Sequence, residues 1–208
     1  MSSNKSTEAQ ERTALKPQRR SGQERVEALL QAAAEVIAEK GYDAATMAEV
    51  ATRAGAQIGS LYRFFPNKDV LANALLDRFR ARVAAAFDSI ESRVTALSSS
   101  AFADALLDVL LELREETQPI VALLEARSEW SLRRLEFRRE LRRRIAKVLM
   151  LRSAELRKNQ AEDIAVVVLQ NAKSMAALTS ELGEGVRPGA LLELRSMTRQ
   201  YLAMKFGE

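Results

Sequence analysis

The 208-residue sequence contains no cysteine and no histidine. The absence of cysteine excludes disulfides, thiolate metal sites and thiol redox switches, and it favours a reducing compartment, the cytoplasm. The absence of histidine removes the usual general acid or base near neutral pH and the commonest metal ligand. A helical enzyme would need paired carboxylates in a cleft, whereas the acids here are scattered over polar faces. We therefore predict no catalytic residues, no metal and no cofactor.

Glycine and proline are scarce, with eight and four residues, while 47% of the residues are hydrophobic and 29% are charged. These proportions are ordinary for a globular protein, and the low glycine and proline content favours an all-α fold. No stretch approaches the roughly 18 to 20 apolar residues of a membrane span, and the N-terminus is too polar for a signal peptide. We expect a soluble cytoplasmic protein that does not contact membranes.

The N-terminal segment is polar and basic, and the net charge of +4 permits nucleic-acid binding without requiring it. Residues 1–22 contain too few apolar side chains to offset the entropy of ordering, which predicts a flexible basic arm. Lys16, Arg19 and Arg20 at its end either reach a DNA groove or remain solvated.

Signals for three helices follow the arm. Apolar residues recur at helical spacing from Gln23, and Gly41 has the position of a C-cap. Thr46 and Glu49 have the spacing of a capping box at the start of a second helix. Gly55 ends that helix where a left-handed residue is needed for a tight turn. The third helix, roughly residues 57–64, stops before a proline, and residues 46–65 therefore predict a helix-turn-helix.

The third helix is the predicted DNA-reading element, because a major groove about 12 Å wide admits an α-helix. Leu61 and Phe65, four residues apart, are expected to anchor it inward. Ile58 either packs inward as well or meets a thymine methyl group. The predicted DNA-contacting residues are Thr46, Gln57, Ile58, Gly59, Ser60, Tyr62, Arg63, Phe64 and Lys68.

The segment from Gln23 to about Ala85 resembles the TetR family of bacterial repressors. The resemblance is carried by Gly41-Tyr42, by Thr46-Met-Ala-Glu-Val-Ala, and by the run from Gly55 to Leu71, which reads GAQIGSLYRFFPNKDVL. It implies a helix-turn-helix domain over residues 23–88 and, over residues 89–208, a variable domain that binds an effector and dimerises. Ala48 departs from members with a base-reading arginine in the second helix, so base readout is expected mainly from the third.

Helical periodicity continues through the rest of the chain. A fourth, long helix has an apolar stripe formed by Leu71, Leu75, Phe79, Val83, Phe87 and Ile90. The next helix is expected to end near Thr117, with Pro119 opening another. Two later helices, at about residues 163–182 and 190–206, are predicted to form the homodimer as a four-helix bundle across a two-fold axis. The expected architecture is thus an N-terminal helix-turn-helix domain and a C-terminal helical bundle.

Residues that could line an effector cavity are spread over several of these helices. The candidates are Phe102, Leu106, Arg127, Trp130, Phe137, Met150, Asn171 and Met175. An arginine-rich helix at residues 133–152 is either a solvated face or a site for an acidic partner, an anionic effector or DNA phosphates. A membrane surface is a weaker option for it, because its charges surround most of the helix.

Together these features predict a dimeric transcriptional regulator that binds a palindromic DNA operator. The expected mode is a repressor that a small-molecule effector releases from DNA, which requires a difference in effector affinity between two states. The alternative is a DNA-binding regulator controlled by a protein partner through the arginine-rich helix.

Overall fold

A computed structural model describes residues 14–15, 19–125, 130–180 and 188–206, and these residues form eight α-helices without a β-strand. Most of the predicted arm and the pocket candidate Arg127 lie outside the described residues. The chain divides into two compact units, one ending at Arg78 and the other beginning at Phe79, earlier than the boundary expected after residue 88. The helices are α1 (Arg20–Lys40), α2 (Met47–Arg53), α3 (Ile58–Phe64), α4 (Lys68–Glu91), α5 (Ser99–Glu125), α6 (Ser131–Arg152), α7 (Lys158–Ser180) and α8 (Pro188–Phe206), with a 3₁₀ turn at Val94–Ala96 between α4 and α5.

Helix α1 begins at Arg20, within the segment predicted as a flexible arm. The Arg20 Nε lies 3.0 Å from the Glu24 carboxylate one turn later, and the Gly22 and Gln23 amides both donate to the Arg19 carbonyl. An ion pair at i,i+4 gives modest support to an exposed first turn. The buried face that holds α1 in the unit lies further along, at Leu29, Leu30, Ala32, Ala33, Val36 and Ile37.

The predicted capping box of α2 is confirmed. The Thr46 hydroxyl accepts a hydrogen bond from the Glu49 amide at 3.2 Å, and the Glu49 carboxylate accepts from the Thr46 amide at 3.1 Å. Gly55 follows α2 with φ of +59°, a left-handed conformation that side chains with a Cβ rarely adopt. This turn sets the chain direction from α2 into α3.

The long apolar stripe of α4 is confirmed, since all six predicted residues are buried, at most 4% exposed. The Asn67 side chain caps the helix by accepting from the Val70 amide at 2.8 Å. Helix α4 contributes residues to both units, because the division falls after Arg78. None of the described helices has the length and apolar composition to cross a bilayer.

The predicted helix break at Pro119 is wrong, because α5 continues through that position to Glu125. A proline inside a helix costs about 3 kcal/mol, since it removes one hydrogen bond and crowds the preceding turn. The turn that follows it buries Ile120 and Leu123 almost completely. Full burial of an aliphatic side chain stabilises by about 1.5–3 kcal/mol, so packing of this turn offsets the proline.

An ion-pair network joins α5 to α8 in the second unit. The Asp104 carboxylate lies 2.8 Å from Arg195 Nε and 2.7 Å from Arg199 Nε, and Arg195 also pairs with Asp108. Partial burial alone would raise the pKa of Asp104, but hydrogen bonds from Arg199 and Arg195 hold it below its ordinary value. The network fixes the register between these two helices at their polar edge.

Candidate nucleic-acid interface

The inner face of α3 is fixed by two fully buried side chains. Leu61 is 0% exposed and Phe65, the residue that ends the helix, is 1% exposed, as the sequence predicts. The Phe65 amide donates to the Leu61 carbonyl at 2.8 Å, which keeps the last turn closed. Pro66 follows directly and prevents the helix from extending. This face docks α3 and leaves its opposite face outward.

The outward face of α3 carries two large exposed side chains. Ile58 is 44% exposed and Tyr62 is 48% exposed, one helical turn apart. Gln57, Gly59 and Arg63 beside them are also exposed. The exposure of Ile58 excludes the first of the two alternatives left open by the sequence, because its side chain does not pack into the core; contact with a thymine methyl group stays a prediction. No atom lies within 4 Å of the place where a Cβ on Gly59 would be, so the space above it is open.

Phe64 is a correction to the predicted contact surface. Its side chain is only 7% exposed, so the prediction that it faces solvent is wrong. Phe64 lies three residues after Leu61, and positions three apart share one side of a helix. The Phe64 carbonyl accepts a hydrogen bond from the Leu15 amide at 3.1 Å. Phe64 therefore supports α3 from within and links it to the segment before α1.

Lys68 lies at the start of α4, where the sequence places it, and it already has partners within the unit. Its ammonium donates to the Asp43 carbonyl at 3.0 Å and lies 4.4 Å from the centre of the Tyr42 ring. The Tyr42 hydroxyl in turn donates to the Asp69 carboxylate at 2.8 Å. These contacts tie the loop between α1 and α2 to the first turn of α4.

Thr46 is occupied by the capping box, and Glu49 extends that network to α1. The Lys40 ammonium pairs with the Glu49 carboxylate. The Thr46 hydroxyl donates to the same carboxylate at 2.9 Å. Hydrogen bonds from Lys40 and then from Thr46 lower the pKa of Glu49 to about 2. The structure thus gives Thr46 a role in positioning α2 next to α3.

Arg25 of α1 is a candidate that the sequence analysis missed. Its guanidinium lies 3.5 Å from the Ser60 hydroxyl of α3, and its side chain is exposed. No local pattern marks this residue, because it precedes Ser60 by 35 positions in the chain. It adds a cation to the edge of the α3 surface.

The charges of this unit are distributed unevenly. Residues 19–78 contain eight Lys or Arg and eight Asp or Glu, so they carry no net charge. Several cations are paired away from α3: Arg53 with Glu35 and Glu39, and Arg78 with Glu27. Arg25 and Arg63 have no ion pair with any residue that the structure describes. Positive charge available to a phosphate is therefore found beside α3.

The predicted effector-pocket residues that the structure describes are spread over α5, α6 and α7 and the residue before α6. Three of them, Phe102, Leu106 and Met175, are 0% exposed in helix packing, and the Asn171 amide donates to the Thr198 hydroxyl at 3.1 Å. The remaining described candidates are buried or half-buried: Trp130, Phe137 and Met150. Of the seven candidates that the structure describes, Phe137 alone lines the cleft of about 400 Å³ between α4 and α6.

Comparisons with known proteins agree with this geometry. Residues 29–75 match the family model described as bacterial regulatory proteins, tetR family. The chain is 35% identical over 78 residues to the uncharacterized HTH-type transcriptional regulator YvdT of Bacillus subtilis, a match that spans 38% of each chain. The similarity to this curated relative therefore covers well under half of its length.

Solved structures extend the similarity in fold to most of the chain. A transcriptional regulator from Aquifex aeolicus superposes with a TM-score of 0.66 at 19% identity, covering 88% of this chain and 99% of that one. A TetR transcription regulator from Haloarcula marismortui gives a TM-score of 0.61 at 21% identity, covering 88% and 98%. Both combine an N-terminal helix-turn-helix with a C-terminal helical domain, as this chain does.

Proposed function

We propose that this chain, whose N-terminal domain belongs to the TetR family, binds operator DNA as a homodimer and represses transcription until a small molecule releases it. The observation that carries the proposal is the two-sided character of α3. Leu61 and Phe65 hold the helix in the core, while Ile58 and Tyr62 extend from the opposite side with about half of their surface exposed. An exposed face of this kind on the second helix of a helix-turn-helix suits a major groove.

Each outward residue suits a particular part of DNA. Gln57 and Ser60 can exchange hydrogen bonds with base edges, and Ile58 can contact a thymine methyl group. Tyr62, Arg63 and Arg25 suit phosphate oxygens, which position a protein on the duplex. The open space above Gly59 lets the sugar-phosphate chain approach the α3 backbone. Base readout in this proposal rests on α3 alone.

Lys68 joins the proposed phosphate contacts from the start of α4. Its ammonium donates to the Asp43 carbonyl at 3.0 Å and lies 4.4 Å from the Tyr42 ring, so a phosphate would share this group with the contacts it makes inside the unit. The positive end of the α4 dipole favours an anion at the same place. Lys68 would then connect the DNA surface to the helix that continues into the second unit.

The proposed dimer surface lies on α7 and α8. Large apolar side chains are exposed there: Val166 (41%), Val167 (39%), Leu192 (66%), Met197 (53%) and Met204 (74%). Several exposed large apolar side chains on two neighbouring helices are typical of a protein–protein contact. Two copies of each helix would form a four-helix bundle across a two-fold axis, matching a palindromic operator.

Replacing Val167 and Met197 together with glutamate is expected to convert the dimer to a monomer. Charges placed opposite each other across a two-fold interface would lose their hydration and repel one another. Light scattering after size-exclusion chromatography measures the change in mass. The control is Leu151→Glu on α6, a side chain that is 44% exposed on a helix outside the proposed interface. Equal masses for the double variant and the control would contradict this interface.

The proposed function predicts enrichment of a palindromic sequence when the protein is offered random double-stranded DNA. If Arg25, Arg63 and Lys68 each neutralise one phosphate per subunit, the dimer makes six such contacts. The logarithm of the DNA association constant should then fall with the logarithm of the salt concentration with a slope of about −5. Arg25→Gln should make that slope shallower by about 2, since each subunit loses one contact. Selection without any enriched sequence, or affinity independent of salt, would contradict DNA binding through this surface.

A further inference from the structure

The positive charge of the chain is concentrated on α6. Residues 131–152 contain nine Lys or Arg and two Glu, whereas the net charge of the whole chain is only +4. The remainder of the chain is therefore net negative. The proposed DNA surface uses none of these cations, and so their role is not explained by DNA binding through α3.

A cleft of about 400 Å³ lies between α6 and the part of α4 that belongs to the second unit. Its apolar wall consists of Val83, Phe137 and Leu141. Phe137 is held in place by Phe79, with ring centres 5.2 Å apart and planes tilted by 48°. The volume and the rigid aromatic wall suit the apolar body of a small ligand.

Among the described residues, the polar lining of the cleft consists of three arginines and two glutamates: Arg80, Arg143, Arg144, Glu136 and Glu140. Glu140 is shared, with one carboxylate oxygen 3.3 Å from Arg143 and the other 3.3 Å from Arg144. Charge-assisted hydrogen bonds are usually about 2.7–2.9 Å long, so both contacts are loose. The Glu140 carboxylate is thus divided between two guanidinium groups of the cleft, and an added anion would give Arg143 a closer partner.

Arg144 also connects the two helices that form the cleft. Its guanidinium lies 3.4 Å from the Asp88 carboxylate of α4, in addition to its contact with Glu140 of α6. A neighbouring pair, Lys147 with Glu91 at 2.5 Å, joins the same helices. An anion bound to Arg144 would compete directly with Asp88 and weaken this link between α4 and α6.

We propose that the cleft between α4 and α6 binds a small amphipathic anion, with its carboxylate or phosphate on Arg143 and Arg144 and its apolar body against Phe137, and that this anion is the effector. The second half of this inference rests on the proposed function. Helix α4 begins at Lys68, a proposed phosphate contact, and lines the cleft from Arg80 onward. One helix would therefore contact both the DNA and the anion. Competition for Arg144 gives the anion different affinities for two arrangements of α4, which coupling requires.

Titration calorimetry on the full chain tests the site, with decanoate and decyl phosphate as probes of the two headgroups. Arg143→Gln is expected to weaken binding at least tenfold. Arg139→Gln, which removes the same charge from an exposed position of α6 outside the cleft, is expected to bind like the wild type. Arg143→Lys should recover part of the affinity, because it restores the charge but not the planar fork.

Two results would overturn the site. One is equal affinity in Arg143→Gln and Arg139→Gln, which would mean general attraction to α6. The other is equally tight binding of decyltrimethylammonium, which would mean that only the apolar tail is recognised. Acetate and inorganic phosphate should bind more weakly than the long-chain probes, since they make no contact with Phe137.

Operator affinity tests whether the bound anion acts as the effector. The better probe should lower operator affinity for the wild type and for Arg139→Gln, and leave it unchanged for Arg143→Gln. If the wild type binds the anion but operator affinity does not respond, the cleft is not the effector site. If the anion binds and no DNA sequence is selected at all, the proposed function fails while the anion site stands.

Discussion

Replacing Tyr62 and Arg63 together with alanine is expected to lower affinity for the selected operator at least about 100-fold. Both side chains lie on the exposed face of α3, and neither contributes to the buried face formed by Leu61 and Phe65. A lost contact to a base or phosphate costs about 1–3 kcal/mol, and in a dimer each substitution removes the contact twice. The free energy of unfolding should change little, because exposed positions usually contribute within about 0.5 kcal/mol.

Fluorescence anisotropy with labelled operator measures this loss, and the melting temperature shows whether the fold is retained. The control is Arg93→Ala, which removes a positive charge from an exposed position outside α3. A double variant that binds the operator within about threefold of the wild type would show that α3 is not the reading helix. A general loss in both variants would point instead to long-range electrostatics.

Features of the first unit that depend on near neighbours in sequence could be predicted. The capping box of Thr46 and Glu49, the left-handed turn at Gly55 and the Asn67 cap each involve residues within a few positions of one another. Their geometry is fixed by local backbone hydrogen bonding. The same holds for the α4 stripe, because a helical period determines which side chains share a face.

The faces of α3 could not be assigned fully from its sequence. In a helix of seven residues, spacing alone lets Ile58 join Leu61 on the inner side and lets Phe64 point outward. In the structure Phe64 is only 7% exposed, against the prediction, and Ile58, which the sequence left undecided, is 44% exposed. Docking against other helices decides which of two possible apolar faces is buried, and that information lies outside the segment.

The interior of the second unit was also beyond prediction from local signals. Proline at position 119 is a strong helix breaker in isolation, and only the burial of Ile120 and Leu123 shows why α5 continues. The cleft between α4 and α6 combines residues that are distant in sequence, such as Arg80 and Arg143. Periodicity identifies apolar positions in each helix but not which helices pack side by side.

Phe65→Ala and Ile58→Ala are expected to separate the stability of the first unit from its DNA contact. Removing a buried phenylalanine costs about 3–5 kcal/mol, whereas a whole domain is stable by about 5–15 kcal/mol. Because Phe65 is 1% exposed and closes α3, amides of α1 to α3 should exchange with solvent much faster in Phe65→Ala, and operator binding should fall with them. Hydrogen exchange read peptide by peptide measures this, with peptides from α7 and α8 as the internal reference.

Ile58→Ala should lower operator affinity without changing the stability of the first unit. Its side chain is 44% exposed, so exchange should match the wild type, while loss of apolar contact with DNA lowers operator affinity about fivefold, or roughly 1 kcal/mol. The loss should disappear on an operator whose contacted thymine is replaced by uracil, which lacks the methyl group. If Phe65→Ala kept protected amides, or if Ile58→Ala lost affinity equally on both operators, α3 would not be divided into a supporting face and a reading face.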